Sequence, residues 1–499
     1  MYRKTHVVKI NLYGGIVSAG DMYAIVNAAE KAGIEEVQFG TRQQLYMRVE
    51  DHRLAELDMV LQEHNIDFEI NNDQYPNIVS SYVTEEVFQN ANWLREGLYK
   101  DILDLFDYKP QLKINVIDNV QTFIPYFTGH LNFIASNTGN YWHLHIRFPR
   151  STIVYPWKGL IYSHDIPRIS RIIEEVVLGN KFLFYDKPAV DVDVLYMMVH
   201  ARHHFIIQEV TEPLQLPNFQ LPYYEGFNRY GNKFWLGIYR RDEMFSLAFL
   251  KDICMVCLKT KIGQLYSTPW KSLIIKGIDQ PDRKLWDYIL GKYRINVRHA
   301  SNELNWQVAD LSEDGLNLKR YLIRQFDRDD VRTFGLCFAI KVEPKSGLFG
   351  SIVIQKKGNE SANQRRGLDR YDILFTTNFN PNSKEYVVFR KDVVKEDLAT
   401  YLISLCKYFY ELQSKEELIS HEAFRQETVN VKQEIFSTNQ WFHCKHCFTV
   451  YDKIYGDEMN GITPGTAFEQ IVHFECPICG ASKEDFQLVE RPVLNQAVH

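Results

Sequence analysis

Polar and apolar residues alternate along Val7-Val8-Lys9-Ile10-Asn11-Leu12, which predicts a strand, and Gly14-Gly15 then turns the chain. From Ser18 to Ala32 the apolar residues recur at helical spacing, with Ser18 as N-cap, Asp21 three residues on and Gly33 as the stop. Gln38 to Val49 returns as a strand, and Asp51 to His64 carries a second amphipathic helix. The same order recurs about 225 residues later. There Phe234 to Ile238 is a strand, Arg241 to Leu247 leads into a helix ending near Lys261, Thr268 to Ile278 takes the place of Thr41 to Val49, and Asp282 to Lys292 is the closing helix. Two copies of one βαβα half-module imply an internal pseudo-twofold axis.

Mixed α/β segments follow each copy, with helical runs at Ile166 to Leu178 and Asp397 to Leu418. Gln355 to Arg370 is polar and reads as an exposed loop. The expected division is a half-module over 1–75, an α/β lobe over 76–225, a second half-module over 226–294, a second lobe over 295–425, a linker over 426–440 and a small module over 441–490.

Composition narrows the partners. A 499-residue chain with 45% hydrophobic and 24% charged residues is a folded multidomain protein. Its net charge is −6 and its 57 lysines and arginines are scattered, which speaks against nucleic acid or an anionic membrane and leaves proteins or small molecules. The N-terminus has no apolar h-region, and the longest apolar stretches, Phe182 to Tyr185 and Val194 to Val199, fall far short of the roughly 20 residues a membrane helix needs. A cytoplasmic location is expected. Half of the eight cysteines sit in two C-x2-C pairs near the C-terminus, a pattern of metal binding in a reducing compartment rather than of a disulfide scaffold.

Those pairs are Cys444-Lys445-His446-Cys447 and, 28 residues on, Cys476-Pro477-Ile478-Cys479. Each C-x2-C turn points two thiolates at one ion, and two turns complete a tetrahedral S4 site, so spacing alone allows a zinc ribbon or an iron centre. Between and after the pairs stand Tyr451-Asp452, Gly456-Asp457, Gly461-Ile462-Thr463-Pro464-Gly465-Thr466-Ala467-Phe468 and Gly480. This run resembles the rubredoxin family over about 441 to 488. The resemblance implies one iron held by Cys444, Cys447, Cys476 and Cys479, cycling between ferric and ferrous, over an aromatic core of Phe442, Tyr451, Phe468 and Phe486. Two departures are Phe448, where the family has glycine, and Phe474, where it has tryptophan; Phe448 is expected to strain the first turn. Acidic residues (Asp452, Asp457, Glu458, Glu469, Glu475, Glu484, Asp485) outnumber Lys445, Lys453 and Lys483, which suits docking on a basic patch and also serves solubility.

In the larger part, Thr41-Arg42-Gln43-Gln44, Thr268 to Ile278, and Lys109 to Ile114 followed by Leu131 to Ala135 resemble the strands of the sirohaem-dependent sulfite and nitrite reductases. That likeness, over about 10 to 420, implies an α+β fold built on two ferredoxin-like half-modules with α/β lobes, and makes Arg42 and Lys113 contacts to sirohaem or a substrate anion. The departures are as informative. Pro76 and Gln111 stand where the family has basic residues, and its C-x5-C and C-x3-C pairs are missing: between residue 290 and the C-terminal module only Cys337 and Cys406 occur, too few for a four-iron cluster. The expectation is therefore a reductase-type scaffold without its own catalytic centre, in which Arg42 and Lys113 are relics or part of a docking surface. Its rubredoxin-type module would exchange electrons with redox partner proteins in nitrite or sulfite metabolism. The alternatives are a sirohaem reductase fed by its fused rubredoxin and a zinc scaffold without redox chemistry.

Other clusters have plainer readings. Cys254 and Cys257 lie in an apolar helix and read as inert core thiols. His143, His145 and Arg147 share one strand face, an anion or metal site by type and more commonly strand side chains with ordinary partners; His203-His204 reads the same way.

Overall fold

The alternating runs fold into the sheets of a computed structural model that describes residues 4–88, 93–298, 301–343, 347–357, 369–429, 441–447, 449–453 and 455–489. Two units separate, Met1–Glu411 and Leu412–His499.

In the first unit the half-modules exchange strands. One sheet runs in the order Met244–Ser246, Glu36–Phe39, Leu45–Glu50, Thr5–Ile10, Glu69–Ile70; the other runs Gly226–Tyr230, Lys233–Ile238, Leu273–Ile278, Gln264–Ser267, Ile16–Ser18. Each sheet thus closes on a strand lent by the other copy, with Met244 opposite Gln38 and Ile16 opposite Tyr266. Helices Ala19–Lys31 and Leu247–Lys259 follow the lent strands, and Ser18 caps the first of them, its Oγ accepting from the Asp21 N–H at 2.9 Å. The apolar faces of both helices, with Met22, Ile25, Ile253 and Cys257, bury into one core under both sheets.

Gln38 to Val49, expected as one strand, is a hairpin of two, Glu36–Phe39 and Leu45–Glu50. The chain reverses at Gly40, whose N–H donates to Gln44 O at 2.7 Å while the Gln43 N–H donates to Gly40 O at 2.9 Å. The second copy turns in the same way: the Lys271 N–H donates to Thr268 O at 3.1 Å, and Gln43 and Lys271 take left-handed φ of 61° and 53°.

The lobes repeat as well, which the sequence did not reveal. The first carries the sheet Ile207–Gln208, Tyr155–Tyr162, Tyr141–Ile146, Leu131–Ala135, Ile114–Ile117, Val79–Ser80; the second carries Trp306–Val308, Phe338–Lys341, Ile352–Lys356, Arg370–Thr376, Tyr386–Val394. In both, the three strands earliest in sequence are parallel and those that follow are antiparallel. The last helix, Leu398–Val429, runs four residues into the segment expected as linker; 430–440 lies outside the described residues, as does most of the expected loop, 358–368.

In the second unit three short strands pair in the order Val450–Asp452, Trp441–Cys444, Phe486–Val489. No helix among the described residues is long and apolar enough to cross a membrane.

Candidate functional site

The three-stranded sheet of the second unit presents two similar knuckles. The Cys444 N–H donates to Thr449 O at 2.9 Å and the Cys476 N–H to Ala481 O at 2.8 Å, so each C-x2-C loop is closed by the same backbone bond five residues on. Gly480, after the second pair, has the left-handed φ of +72° that the loop requires. Phe448, at the matching place in the first knuckle, lies outside the described residues, and with it the expected strain.

The knuckles bring four sulfurs together. Cys444 and Cys479 Sγ are 3.6 Å apart, Cys447 and Cys476 Sγ are 3.3 Å apart, and all four lie within 4.8 Å of one another. Four thiolates bonded at ~2.3 Å to one tetrahedral ion stand about 3.8 Å apart, so the set fits a metal of the iron or zinc type. Hydrogen bonds from the Thr449 hydroxyl, at 3.0 Å, and its backbone N–H hold the Cys447 thiol down to about 6, whereas Cys479, despite a backbone hydrogen bond from Ala481, is pushed up to about 12 by desolvation and by the other three cysteines. Cys444 and Cys476 are buried while Cys479 is exposed, with Ile478 beside it 73% exposed. Under the site Phe468 stacks on Phe442 at 4.4 Å and packs against Tyr451 and Phe486. Phe474 and Ile471 complete this core beyond the four aromatics expected.

The body treats its two candidate residues differently. Arg42 is 8% exposed, so it forms no docking surface. Its Nη2 donates to Asn77 O at 2.7 Å and Ile114 O at 3.0 Å, and Nη1 to Asn115 Oδ1 at 3.2 Å. The guanidinium ties the half-module hairpin to the first two strands of the lobe, and Asp310 pins the neighbouring Thr41 through its N–H at 2.9 Å and its hydroxyl at 3.1 Å. Lys113 is half-buried and held down to about 8, by burial and then by Arg42 and Arg147. His130, whose Nδ1 accepts from the Lys113 N–H at 3.1 Å, is pushed well below the usual imidazole range by burial and the same cations.

Sequence reasoning missed that this positive field continues into the second lobe. Arg147, at the end of strand Tyr141–Ile146, shares a cavity of about 100 Å³ with Lys341 and Lys384. Only the strand pattern around His143 and His145 pointed to Arg147, and no local signal marks the two lysines. The rings of His143 and His145 stand 6.4 Å apart, both lowered by burial, His145 to about 4. Cys254 and Cys257 are fully buried and both thiols are pushed up by burial, Cys254 to about 12. Among the described residues the only group of three or more metal-ligating side chains is the four C-terminal cysteines.

This sheet with its two knuckles and sulfur tetrahedron defines a small S4 metal domain, and comparison places it. Residues 441–486 match the Rubredoxin family. Rubredoxin-2 of Ectopseudomonas oleovorans is 52% identical over 48 residues, 9% of this chain and 28% of that protein, so the chain spans little more than a quarter of that relative's length. The Rubredoxin of Acinetobacter baylyi is 42% identical over 50 residues, 10% of this chain and 93% of that protein. Through this C-terminal segment the chain belongs to the rubredoxin family. The NirA protein of Mycobacterium tuberculosis aligns over 80% of each chain with a TM-score of 0.58 at 13% identity, which shows that the body has that fold.

Proposed function

We propose that this chain is an electron carrier, in which Cys444, Cys447, Cys476 and Cys479 hold one iron that takes up and releases a single electron between its ferric and ferrous states. The observation that carries the reading is the sulfur tetrahedron inside a rubredoxin-family segment. The exposed Cys479 and the apolar Ile478 beside it give electrons a short path to a docked partner. The body, with a fold also found in NirA, serves as the docking or assembly scaffold for an oxidoreductase of nitrite or sulfite metabolism.

The likeness to NirA and the reductase-type strands also favour a second reading, a reductase that keeps sirohaem and is fed by the fused rubredoxin. The residues present do not fit that macrocycle. Arg42 gives Nη2 to the Asn77 and Ile114 carbonyls and Nη1 to Asn115 Oδ1, which leaves its buried Nε as a single donor without a partner, and the cavity beside Arg147 measures about 100 Å³ against the roughly 300–1,000 Å³ of pockets for larger ligands. No step is therefore assigned to sirohaem.

Metal analysis, a visible spectrum and a redox titration of the purified full chain test this. One iron per chain, thiolate-to-iron charge-transfer bands and a one-electron couple are expected. A colourless zinc protein would sink the electron-carrier reading, and copurifying sirohaem would favour the reductase.

A further inference from the structure

The two knuckles of the second unit are alike in backbone, and one side chain beside the sulfurs separates them. Cys444 matches Cys476, Cys447 matches Cys479, and Thr449 stands where the second knuckle has Ala481. Thr449 O closes the first loop at 2.9 Å and Ala481 O closes the second at 2.8 Å. The N–H of each also donates to the sulfur of the cysteine two positions before it, Thr449 to Cys447 and Ala481 to Cys479.

The Thr449 side chain adds what alanine cannot supply. Its Oγ1 lies 3.0 Å from Cys447 Sγ and has no other partner among the described residues. A metal-bound sulfur carries no proton, so the hydroxyl donates and the thiolate accepts. Thr449 directly precedes strand Val450–Asp452, its backbone is fixed at both N–H and O, and a β-branched side chain has little freedom at χ1. The hydroxyl is therefore held at the sulfur by the fold of the knuckle.

That contact acts unequally on the two oxidation states. Four thiolates leave a ferric site with one net negative charge and a ferrous site with two. The positive end of an O–H dipole beside one sulfur stabilises both states, and the more negative ferrous state more. Hydrogen bonds to ligating sulfurs are among the quantities that set the potential of an iron–sulfur site.

We propose that Thr449 is a positioning residue for electron transfer, whose hydroxyl donates to Cys447 Sγ, favours the ferrous state and raises the reduction potential above that of the same site without it. The iron takes up one electron, no bond forms or breaks, and the hydroxyl keeps its proton in both states. The inference rests on the electron-carrier reading, since zinc offers no potential to raise. It gives the first knuckle a task that the second, with Ala481, does not share.

Spectroelectrochemical titration of the purified full chain tests it, with Thr449→Val and with Thr449→Ala, the latter being the residue the second knuckle already accommodates. Both variants should hold one iron per chain with unchanged circular dichroism. Their ferric–ferrous equilibrium should shift at least threefold towards ferric, about 28 mV at the 59 mV per tenfold change of a one-electron couple. Their thiolate-to-iron charge-transfer bands should move to longer wavelength, because the sulfur holds its electrons less tightly without the donor. Thr449→Ser, which keeps a hydroxyl, should stay within about twofold of the native equilibrium. Iron-loaded Thr449→Val or Thr449→Ala within about twofold of the native chain overturns this inference alone, as does a Thr449→Ser centre that behaves like Thr449→Ala. A native chain purified with zinc and no iron overturns the electron-carrier reading first, and this inference with it.

Discussion

In the second unit the four sulfurs come from two turns, each supplying ligands three residues apart. In the body, the three cations of the interlobe cavity come from one strand end in the first lobe and two in the second. The first arrangement is written locally, because a C-x2-C turn converges its side chains wherever it folds. The second exists only once both lobes have folded and residues from each line one cavity. A small domain that cannot bury enough apolar surface relies on its metal, whereas a body of this size builds its own core and can hold charges within it. The two regions should therefore fail in different ways when their charges or ligands are removed.

The sharpest break of that comparison is Cys444→Ser or Cys479→Ser. Structural S4 metal sites contribute on the order of 10 kcal/mol to folding, far more than a core of seven buried residues can replace. Either variant should lose its metal and unfold residues 441–489 while the body keeps its thermal transition. Metal content and limited proteolysis followed by mass spectrometry read both halves of this outcome; a variant with full metal and a reversible couple would refute the ligand assignment. A chelator should reproduce the pattern in the native chain.

The body's counterpart is Glu243, 2% exposed, whose carboxylate receives Lys271 Nζ at 2.6 Å and Lys319 Nζ at 2.8 Å. Glu243→Gln leaves the buried Lys319 without its anion and Lys271 with Asp310 alone, at 3.8 Å, and should cost about 3–5 kcal/mol, lowering the body's melting temperature and leaving the metal domain unchanged. Burial alone would raise this carboxyl; the two lysines overcome it and hold it at about 2. A depressed carboxylate stabilises above its unfolded value of about 4.5 and loses that contribution as pH falls towards 2, so about 3 kcal/mol should fade over this window. Glu243→Gln should flatten the acid limb of a denaturant-stability profile, and an unaltered slope would count against the network.

How much of this the sequence disclosed follows the same division. The four cysteines and the glycine at 480 were legible because the knuckle is a local motif. The half-modules were legible because their apolar periods repeat. The repeat of the lobes was hidden, since strands such as Ile114–Ile117 and Phe338–Lys341 share burial and not residue identity. The strand exchange was equally hidden: nothing near Ile16 states that its partner is Tyr266. Arg42 was singled out by the reductase-type motif as a contact to sirohaem or an anion, and the sequence could not show that the carbonyls of Asn77 and Ile114 turn toward it.

Arg42→Met sharpens that reassignment. Asn77 O and Ile114 O would lose a charged donor in a buried joint, a loss of about 1–3 kcal/mol by denaturant unfolding of the body. A variant as stable as the native chain would show that these hydrogen bonds are not what Arg42 contributes.

The smallest effect expected is from Cys254→Ala with Cys257→Ala, and its value is as a test of which sulfurs are chemical. Both side chains belong to the shared core beneath the two half-module sheets, which also holds Ile253 and Leu265, and burial keeps both thiols protonated at neutral pH. Protonated thiols are poor metal ligands, and replacing each by a methyl group removes one heavy atom from a tightly packed interior. The double variant should therefore lose about 1–2 kcal/mol of body stability, the range of an ordinary small truncation, with metal stoichiometry and redox couple unchanged. Thiol titration of the native chain without denaturant should likewise leave this pair unreacted. A second metal in the native chain that disappears from the double variant would show that the i, i+3 spacing carries chemistry in the body as it does in the C-terminal knuckles, and the contrast between the two regions would fail at its root.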